Sequence, residues 1–300
     1  MDGYKIVEDL TAFNNWTQSY RYKVLKLEKD GNYFLFKQAN DDFTKELLKN
    51  EVRWREFFKS VNAKNVTSTK ILEAGEDYLL FEWIEADVLA RPEPKSVAKL
   101  ENQLDRYLDL IMAIRQAAKG YKPDGDESKA IKPESRYDSP LAYHERIKPL
   151  IGAGWTDSQT IKKVQALYNS YLPYAQGGYQ HGDFTPWHIF VKGDQWIIFD
   201  AEHATSLRSG YTDLSHSYVR ITCKGKNPKL AAKLLNKYLD KSAEDVNDFK
   251  NKIMSELVKK SAGSLIDAYN DRHTSDYRQE ANDLLDKVLK DDLNVLLQTP

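Results

Sequence analysis

Apolar positions in the first third of the chain recur in short runs with the spacing of strands. Residues 19–40 read SYRYKVLKLEKDGNYFLFKQAN, two such runs separated by Asp30 and Gly31. Because an Asp-Gly step readily adopts the positive φ angles of a tight turn, this segment predicts a β-hairpin. Residues 69–88 predict a second pair of strands, and residues 41–58, between the two pairs, predict a helix.

Beyond about residue 90 the apolar spacing becomes that of helices. In residues 94–120, Leu and Ile recur at every third or fourth position, and Gly120 stands where this helix is expected to end. Residues 121–139, rich in Pro, Gly and charge, predict a long surface loop. A further helix is predicted to open with Thr156 and Gln159 in capping-box spacing, and three more helices are predicted after residue 225.

One strand-like segment interrupts the helical part of the chain. Residues 188–203 read HIFVKGDQWIIFDAEH, in which two apolar runs flank a turn. We predict a hairpin with residues 193–195 as its loop, so that position 188 faces position 200. His188 and Asp200 would then lie side by side at the open end of the hairpin, with Asp183 on the loop that enters it.

The composition limits the class of protein. The chain has 300 residues, 41% of them apolar, which suffices for a buried core and favours two lobes. The 44 basic and 45 acidic residues nearly cancel, so we expect a small-molecule substrate and neither nucleic acid nor a membrane as partner. A single cysteine, Cys223, together with an N-terminus unlike a signal peptide and no long apolar run, predicts a cytoplasmic protein.

Histidines are concentrated in one short segment. Four of the six lie between residues 181 and 216, interleaved with carboxylates: His181, His188, His203 and His216. Any one of these side chains, taken alone, is expected to be an ordinary residue of a turn. Their concentration predicts a functional site, since imidazole and carboxylate are the groups that transfer protons and bind metal ions.

The sequence HGDFTPWHI, followed by IIFDAEHA and then YTDL, resembles the aminoglycoside phosphotransferase and choline kinase group of small-molecule kinases. In that group the catalytic loop reads HGDxxxxN, and the metal-binding strand end reads D-[WF]-E or similar. The resemblance implies an α+β, bilobal protein-kinase-like fold with ATP in the cleft. Residues 1–86 would form a small β-rich lobe that binds nucleotide, and residues 87–300 a larger, mostly helical lobe for catalysis and substrate binding.

The resemblance assigns roles to five residues near the catalytic loop. Asp183 would orient the acceptor hydroxyl and take its proton. Asp200 would hold the divalent ion, Mg²⁺ or Mn²⁺, that bridges the nucleotide phosphates. Glu202 would assist at the metal, and His188 occupies the position where the family has its metal-binding Asn. Asp213 would brace the catalytic loop from below.

The resemblance also assigns nucleotide-binding residues in the N-terminal part. Lys37 would neutralise the α- and β-phosphates and be held by a glutamate of the following helix. Glu51 is the predicted partner, and Glu46 is the weaker choice. The adenine would bond to the main chain of Glu82 and Ile84, in the linker between the lobes.

Three features depart from the family pattern. His188 replaces Asn, and the linker has Ala86 where the family often has Gly. The segment that should cover the phosphates, FNNWTQSYRYKV, contains no glycine. In its place we expect the backbone and hydroxyl groups of Thr17, Gln18 and Ser19 to contact the phosphates.

Three functions are compatible with these residues. The first is ATP-dependent phosphotransfer to a hydroxyl of a small molecule such as a sugar, an amino alcohol or an aminoglycoside-like compound. The second is a catalytically impaired kinase-like module that binds nucleotide or a protein partner, as the glycine-free segment and His188 suggest. The third is a metal-dependent hydrolase whose Zn²⁺ or Mn²⁺ is bound by His181, Asp183, His188, Asp200 and His203.

The sequence does not determine the acceptor, the choice between ATP and GTP, or the oligomeric state. The loop of residues 121–139 carries acids that would suit a cationic acceptor. Basic residues of the same loop balance them, so the charge of the acceptor stays open.

Overall fold

The computed structural model describes residues 3–11, 21–136, 138–139, 144–271 and 276–298, and the structural statements below refer to these ranges. Their strands are β1 (Lys5–Asp9), β2 (Tyr22–Lys29), β3 (Asn32–Ala39), β4 (Val66–Ser68), β5 (Ile71–Ala74), β6 (Tyr78–Glu82), β7 (Asp87–Val88), β8 (Ile189–Lys192) and β9 (Gln195–Ile198). Their helices are α1 (Asp42–Phe58), α2 (Pro94–Lys99), α3 (Leu104–Ala117), α4 (His144–Gly152), α5 (Ser158–Tyr171), α6 (Thr212–Cys223), α7 (Pro228–Ser242), α8 (Val246–Asp271), α9 (Arg278–Val288) and α10 (Leu293–Leu297).

The N-terminal part is an antiparallel sheet packed against one helix. Its five strands lie in the order β1-β2-β3-β6-β5. Asp30 and Gly31 form the turn between β2 and β3 with φ angles of +52° and +75°, so the predicted hairpin is confirmed. Leu47 and Leu48 of α1 share one buried cluster with Leu79 of β6, and this cluster holds the helix on the sheet.

Helix α1 begins where local hydrogen bonds favour it. Asp41 accepts a hydrogen bond from the N–H of Thr44 at 2.7 Å, and the Thr44 hydroxyl accepts one from the N–H of Asp41 at 3.1 Å. This reciprocal pair satisfies two backbone donors that a helix start leaves without partners. The helix predicted for this segment is confirmed, and it carries Glu51 toward the interior.

A second sheet joins distant parts of the chain in the order β4-β9-β8-β7. Strand β4, from the N-terminal stretch, pairs in parallel with β9, and β7 pairs with β8. The lobe boundary predicted after residue 86 falls directly before β7. Because β4 also belongs to this sheet, the boundary stays a proposal.

Helices dominate the C-terminal part and enclose the largest core. Five fully buried side chains illustrate it: Tyr107 of α3, Leu214 of α6, Leu234 of α7, Phe249 of α8 and Leu284 of α9. Among the described residues, no helix is both long enough and apolar enough to span a bilayer.

The predicted register of the hairpin at residues 188–203 is wrong by one position. Ile189 pairs with Ile198, and the turn consists of Gly193 and Asp194 alone, with Gly193 at a φ of +60°. A two-residue turn matches the twist of the strands better than the three-residue loop we expected. Position 188 therefore pairs with position 199, whose N–H donates to the carbonyl of residue 188 at 3.1 Å.

Three smaller expectations are also corrected. The N-cap of α5 is Asp157, whose carboxylate accepts the N–H of Thr160 at 2.7 Å, rather than Thr156. Four helices follow residue 225, because α10 is too short to show a period. The loop of residues 121–139 is partly packed, since Glu127, Ala130 and Ile131 are buried.

Candidate active site

The loop before β8 carries Asp183, and hydrogen bonds from its backbone fix its shape. The N–H groups of His181 and Gly182 donate to the two carboxylate oxygens of Asp213, at 2.9 and 2.8 Å. Asp213 lies in the first turn of α6 and is buried. It therefore contacts the loop from below, at the place where the resemblance implies a bracing acid.

Gly182 allows this loop to touch the chain that follows β9. Its φ is +85°, and a Cβ atom would lie 2.4 Å from the carbonyl oxygen of His203 and 3.0 Å from Nε of Arg208. A side chain would fit only if the backbone moved. The loop that carries Asp183 is thus in direct contact with the segment that carries Asp200.

Asp183 reaches the cleft as an ionised carboxylate. Its Oδ1 lies 2.5 Å from Nε2 of His216. Burial acts to raise the pKa of Asp183, but the imidazoles of His216 and His188 outweigh burial and hold this pKa well below its usual range. Burial also holds the pKa of His216 well below its usual value, so a neutral imidazole donates its Nε2–H to Asp183.

His188 presents one nitrogen to the cleft. Its Nδ1 lies 2.5 Å from the carbonyl oxygen of Asp183, and since that oxygen can only accept, Nδ1 carries the proton. Its Nε2 faces two carboxylates, 3.9 Å from Oδ2 of Asp183 and 4.0 Å from Oδ2 of Asp200. His188 and Asp200 are therefore neighbours although their predicted register was wrong.

Lys37 lies at the centre of a group of three carboxylates. Its Nζ is 2.6 Å from Glu51, 2.7 Å from Glu202 and 3.1 Å from Asp200. Burial acts against the charge of Lys37, but the three acids together hold its pKa well above the usual value. Burial raises the pKa of Glu51 to about 7, whereas Lys37 outweighs burial at Asp200 and lowers the pKa of that acid to about 2.

The structure places Glu51, rather than Glu46, beside the lysine. Glu46 instead pairs with Lys49 on the surface of α1, at 2.7 Å. Glu202 is buried, and its carboxylate contacts Arg21 at 3.2 Å in addition to Lys37. In this arrangement the oxygens of Glu202 form ion pairs with Arg21 and Lys37 of the protein itself.

The ligands of the hydrolase hypothesis do not converge on one point. His181 is buried, with Nε2 3.1 Å from the carbonyl of Phe199 and its ring edge-on to Trp54. Burial lowers the pKa of His181 to about 3. His203 instead faces Glu202, at 3.4 Å. Within the described ranges, the group of three side chains whose ligand atoms lie close enough for one ion contains no histidine: Glu51, Asp200 and Glu202.

Lys37, Asp183, His188, Asp200 and Glu202 line one cleft of about 1200 Å³, which also includes the linker after β6. Glu82 and Ile84 both face it. The N–H of Glu82 already donates to the carbonyl of Lys70 at 3.1 Å, so this N–H is not available to a ligand. The predicted phosphate contacts at residues 17–19, namely Thr17, Gln18 and Ser19, lie outside the described residues.

Sequence reasoning assigned no role to four residues around Asp183: Arg208, His216, Arg220 and Lys260. All four line the same cleft. His216 stands three positions after Asp213 on α6, a spacing that puts both on one helix face and could have suggested its role. Lys260 lies far along the chain on α8, and no local pattern indicates it.

A comparison with protein families identifies the class. Residues 11–240 match the family described as APH, phosphotransferase enzyme family. The chain belongs to this family, which confirms the resemblance seen in the catalytic loop. No curated protein sequence matches the chain significantly.

Solved structures of aminoglycoside phosphotransferases share the fold. A thermostable mutant of APH(4)-Ia, in ternary complex with ADP and hygromycin B, has a TM-score of 0.59 at 9% identity, over 92% of each chain. The GDP and kanamycin complex of APH(2")-IIia has a TM-score of 0.57 at 11% identity, over 98% of this chain and 94% of that one. ADP-bound APH(2'')-Ib has a TM-score of 0.53 at 12% identity, over 93% and 94%. The predicted bilobal protein-kinase-like fold is confirmed.

Proposed function

We propose that this protein transfers the γ-phosphoryl group of ATP to a hydroxyl of a small molecule. The observation that carries the proposal is the meeting of Asp183, Asp200 and Lys37 in one cleft, although they come from distant parts of the sequence. Phosphoryl transfer needs an aligned hydroxyl, neutralised phosphates and a proton acceptor more than it needs covalent chemistry. These three side chains supply those functions.

Asp183 would accept the hydrogen bond of the acceptor hydroxyl and take its proton. Its Oδ1 is bound by His216, which leaves Oδ2 for the acceptor. An oriented carboxylate of this kind typically contributes roughly 10²–10⁴ in rate. His216 and Asp213 would act as positioning residues, because they hold the carboxylate and the loop backbone.

Lys37 would bind the α- and β-phosphates while Glu51 holds its ammonium group. In the present arrangement Glu202 and Asp200 occupy the other directions of that ammonium. Binding of the phosphates would therefore replace one or both of these contacts. The adenine would contact the carbonyl of Glu82 and the N–H of Ile84.

The donor set fits a divalent ion between His188 and Asp200. Nε2 of His188 and Oδ2 of Asp200 are 4.0 Å apart, and these two side chains would hold the ion. Such an ion would neutralise charge on the β- and γ-phosphates, with the remaining positions taken by phosphate oxygens and water. Glu202 would reach it only after leaving Lys37 and Arg21, so we give it the secondary role.

Two measurements test the proposal. Calorimetry with ATP, in the presence of Mg²⁺ or Mn²⁺, should detect binding, and ADP release should rise when alcohols are added as acceptors. Replacing Lys37 with Ala should weaken ATP binding more than adenosine binding, because adenosine has no phosphates. Failure to bind any nucleotide with metal present would refute the proposal.

The second candidate is a kinase-like module that binds nucleotide without transferring phosphate. The imidazole at position 188 and the closed group around Lys37 favour it, since both differ from a site poised for turnover. Thermal stabilisation by nucleotide, without phosphoryl transfer to any acceptor and without hydrolysis, would support this candidate over the first.

A further inference from the structure

Beside Asp183 the cleft has a part that is bounded by α6 and α8. We call it the α6–α8 pocket and define it by five residues that line the cleft: Arg208, His216, Arg220, Lys260 and Asp267. In a phosphotransferase, the space next to the carboxylate that receives the hydroxyl proton is where the acceptor binds. The charges of this pocket therefore indicate which kind of acceptor it binds.

Two cations at the pocket are already paired. Arg220 places Nη2 2.7 Å from Asp267, and Lys224 places Nζ 3.1 Å from Asp271. These two pairs add no net charge. Among the described residues, however, buried Nη1 of Arg220 has no hydrogen-bond partner, so this guanidinium keeps an unpaired donor.

Two further cations, Lys260 and Arg208, form no ion pair with the described residues. Among the described residues, neither Lys260 nor Arg208 has a carboxylate oxygen within 4.0 Å of its charged nitrogens, and Nζ of Lys260 donates to the carbonyl of Gly182 at 3.3 Å. Nε of Arg208 is buried against Gly182 and has no hydrogen-bond partner in the described part of the chain. The acid nearest to Lys260 along α8, Glu256, faces Lys259 at 3.7 Å.

The unpaired donors and cations of this pocket are costly unless a ligand binds to them. Burial, together with the charge of Arg208, lowers the pKa of Lys260 to about 7, although Glu256 and Asp183 act in the opposite direction. Buried donors without hydrogen-bond partners and buried cations without an ion-pair partner both raise the free energy of the empty pocket. A ligand that brings negative charge and hydrogen-bond acceptors would remove both costs.

The nucleotide phosphates are not the natural partner of these groups. The contacts of the pocket's side chains are Gly182 for Lys260, Asp183 for His216 and Asp267 for Arg220. None of them belongs to the group around Lys37, which faces the phosphates in the proposed function. The α6–α8 pocket is thus on the acceptor side of Asp183.

We propose that the acceptor is an anionic alcohol, a hydroxy acid or a sugar phosphate, whose carboxylate or phosphate group binds to Arg208, Arg220 and Lys260 while its hydroxyl reaches Asp183. This inference rests on the proposed function and narrows its substrate class. Amine-bearing acceptors such as kanamycin are disfavoured, because like charges in a pocket of this kind repel.

The reaction balances without a further reactant. The acceptor oxygen forms a bond to the γ-phosphorus, and the bond from that phosphorus to the β–γ bridging oxygen breaks. The electron pair of the broken bond stays with ADP. The hydroxyl proton passes to Oδ2 of Asp183 and then to solvent.

The test uses polyols that differ only in terminal charge. Gluconate and sorbitol 6-phosphate carry a carboxylate and a phosphate, sorbitol is neutral, and glucamine carries an ammonium group. With ATP saturating, we expect kcat/KM for at least one of the two anions to exceed that for sorbitol about tenfold or more, and that for glucamine to be lowest. The two anions distinguish a carboxylate-binding from a phosphate-binding pocket.

A pair of variants tests whether Lys260 causes the preference for anionic acceptors. Lys260→Gln should lower kcat/KM for the preferred anion about tenfold, mainly through KM, and should lower the ratio of anion to sorbitol turnover. Lys252→Gln removes the same charge from the same helix, at a site where the lysine pairs with Asp248 outside the cleft. This control should keep the ratio of the wild type.

A binding measurement separates this inference from the proposed function. Melting temperatures with ADP and metal present are recorded for each polyol at equal ionic strength, and we expect an anion to stabilise the wild type but not Lys260→Gln. If this holds without phosphoryl transfer, the proposed function fails and the anion pocket stands. If sorbitol or glucamine is bound and phosphorylated as well as the anions, phosphotransfer stands and the anion pocket is refuted. Absence of any charge preference in binding also refutes it.

Discussion

Two imidazoles and a glycine hold the carboxylate of Asp183 in its position. His216 holds one oxygen at 2.5 Å, and His188 bonds through Nδ1 to the carbonyl of the same residue. The positive φ of Gly182 turns the side chain that follows it toward the cleft. At the scale of single residues, the site thus has one free carboxylate oxygen and one free imidazole nitrogen.

We expect Asp183→Asn to separate catalysis from nucleotide binding. The amide keeps the shape but cannot take a proton, so transfer should fall by roughly 10² or more. Calorimetric affinity for ATP with metal should stay close to that of the wild type, since the side chain is assigned to the acceptor. Transfer at the wild-type rate in this variant would show that another group is the base.

His188 leads to a prediction about the metal. Imidazole nitrogen suits Mn²⁺ better than Mg²⁺, which prefers oxygen ligands. The wild type should therefore bind ATP more tightly with Mn²⁺ than with Mg²⁺, and His188→Asn should shift the preference toward Mg²⁺. Calorimetric titrations of ATP with each ion measure this without any turnover. An unchanged preference in the variant would mean that His188 does not contact the ion.

At the scale of elements, the catalytic loop is held between α6 and the segment after β9. Asp213 binds the loop backbone from one side, and the carbonyl of His203 touches Gly182 from the other. Burial raises the pKa of Asp213 to about 6 even though two N–H groups bond to it. Loop, helix and strand end therefore form one unit whose parts cannot shift independently.

Two glycine variants test this unit against a matched control. Gly182 and Gly193 both have positive φ, but a Cβ at Gly193 meets no atom within 4 Å. Gly193→Ala should cost about 1–2 kcal/mol of unfolding free energy, the ordinary penalty of this backbone region. Gly182→Ala should cost clearly more, because the added carbon overlaps the carbonyl of His203. Urea denaturation measures both, and equal losses would contradict the close contact.

At the scale of the whole molecule, Lys37 connects three distant parts of the chain. It lies on β3, Glu51 lies on α1, and Asp200 and Glu202 follow β9. The parallel pairing of β4 with β9 joins the same regions through the backbone. At its base the cleft is therefore held together by ion pairs as well as by a sheet.

Removing the central cation should destabilise the protein as a whole. Lys37→Met leaves the buried carboxylates of Glu51 and Glu202 facing each other, and we expect a loss of about 3 kcal/mol in unfolding free energy. Adding Glu202→Gln should restore part of it, because one of the repelling charges is removed. Lys49→Met, which breaks an exposed lysine–glutamate pair, is the control and should cost far less.

If urea denaturation showed equal losses for Lys37→Met and Lys49→Met, the buried cluster would contribute no more than a surface ion pair. If Glu202→Gln failed to restore stability in the Lys37→Met background, repulsion between the remaining acids would not be the cause of the loss.

Local chemistry accounts for what the sequence predicted correctly. Asp30 and Gly31 make their own turn, and the segment from Asp41 onward forms a capped helix, because these structures depend on neighbours within four residues. The HGD motif is also local, and its resemblance to the catalytic loop of a phosphotransferase family is confirmed. The order of strands, helix, strands and then helices followed from the hydrophobic period alone.

The tertiary structure decided what depends on distant contacts. The observed register of β8 with β9 differs from the predicted one by one residue. Apolar spacing is compatible with adjacent registers, and the fit of the turn to the twist of the strands selects one of them. The choice of Glu51 over Glu46 depends on which face of α1 turns inward. The cations Arg208 and Lys260 meet beside Gly182 only because α8 packs against α6, and sequence periodicity carries no information about which charges such packing brings together.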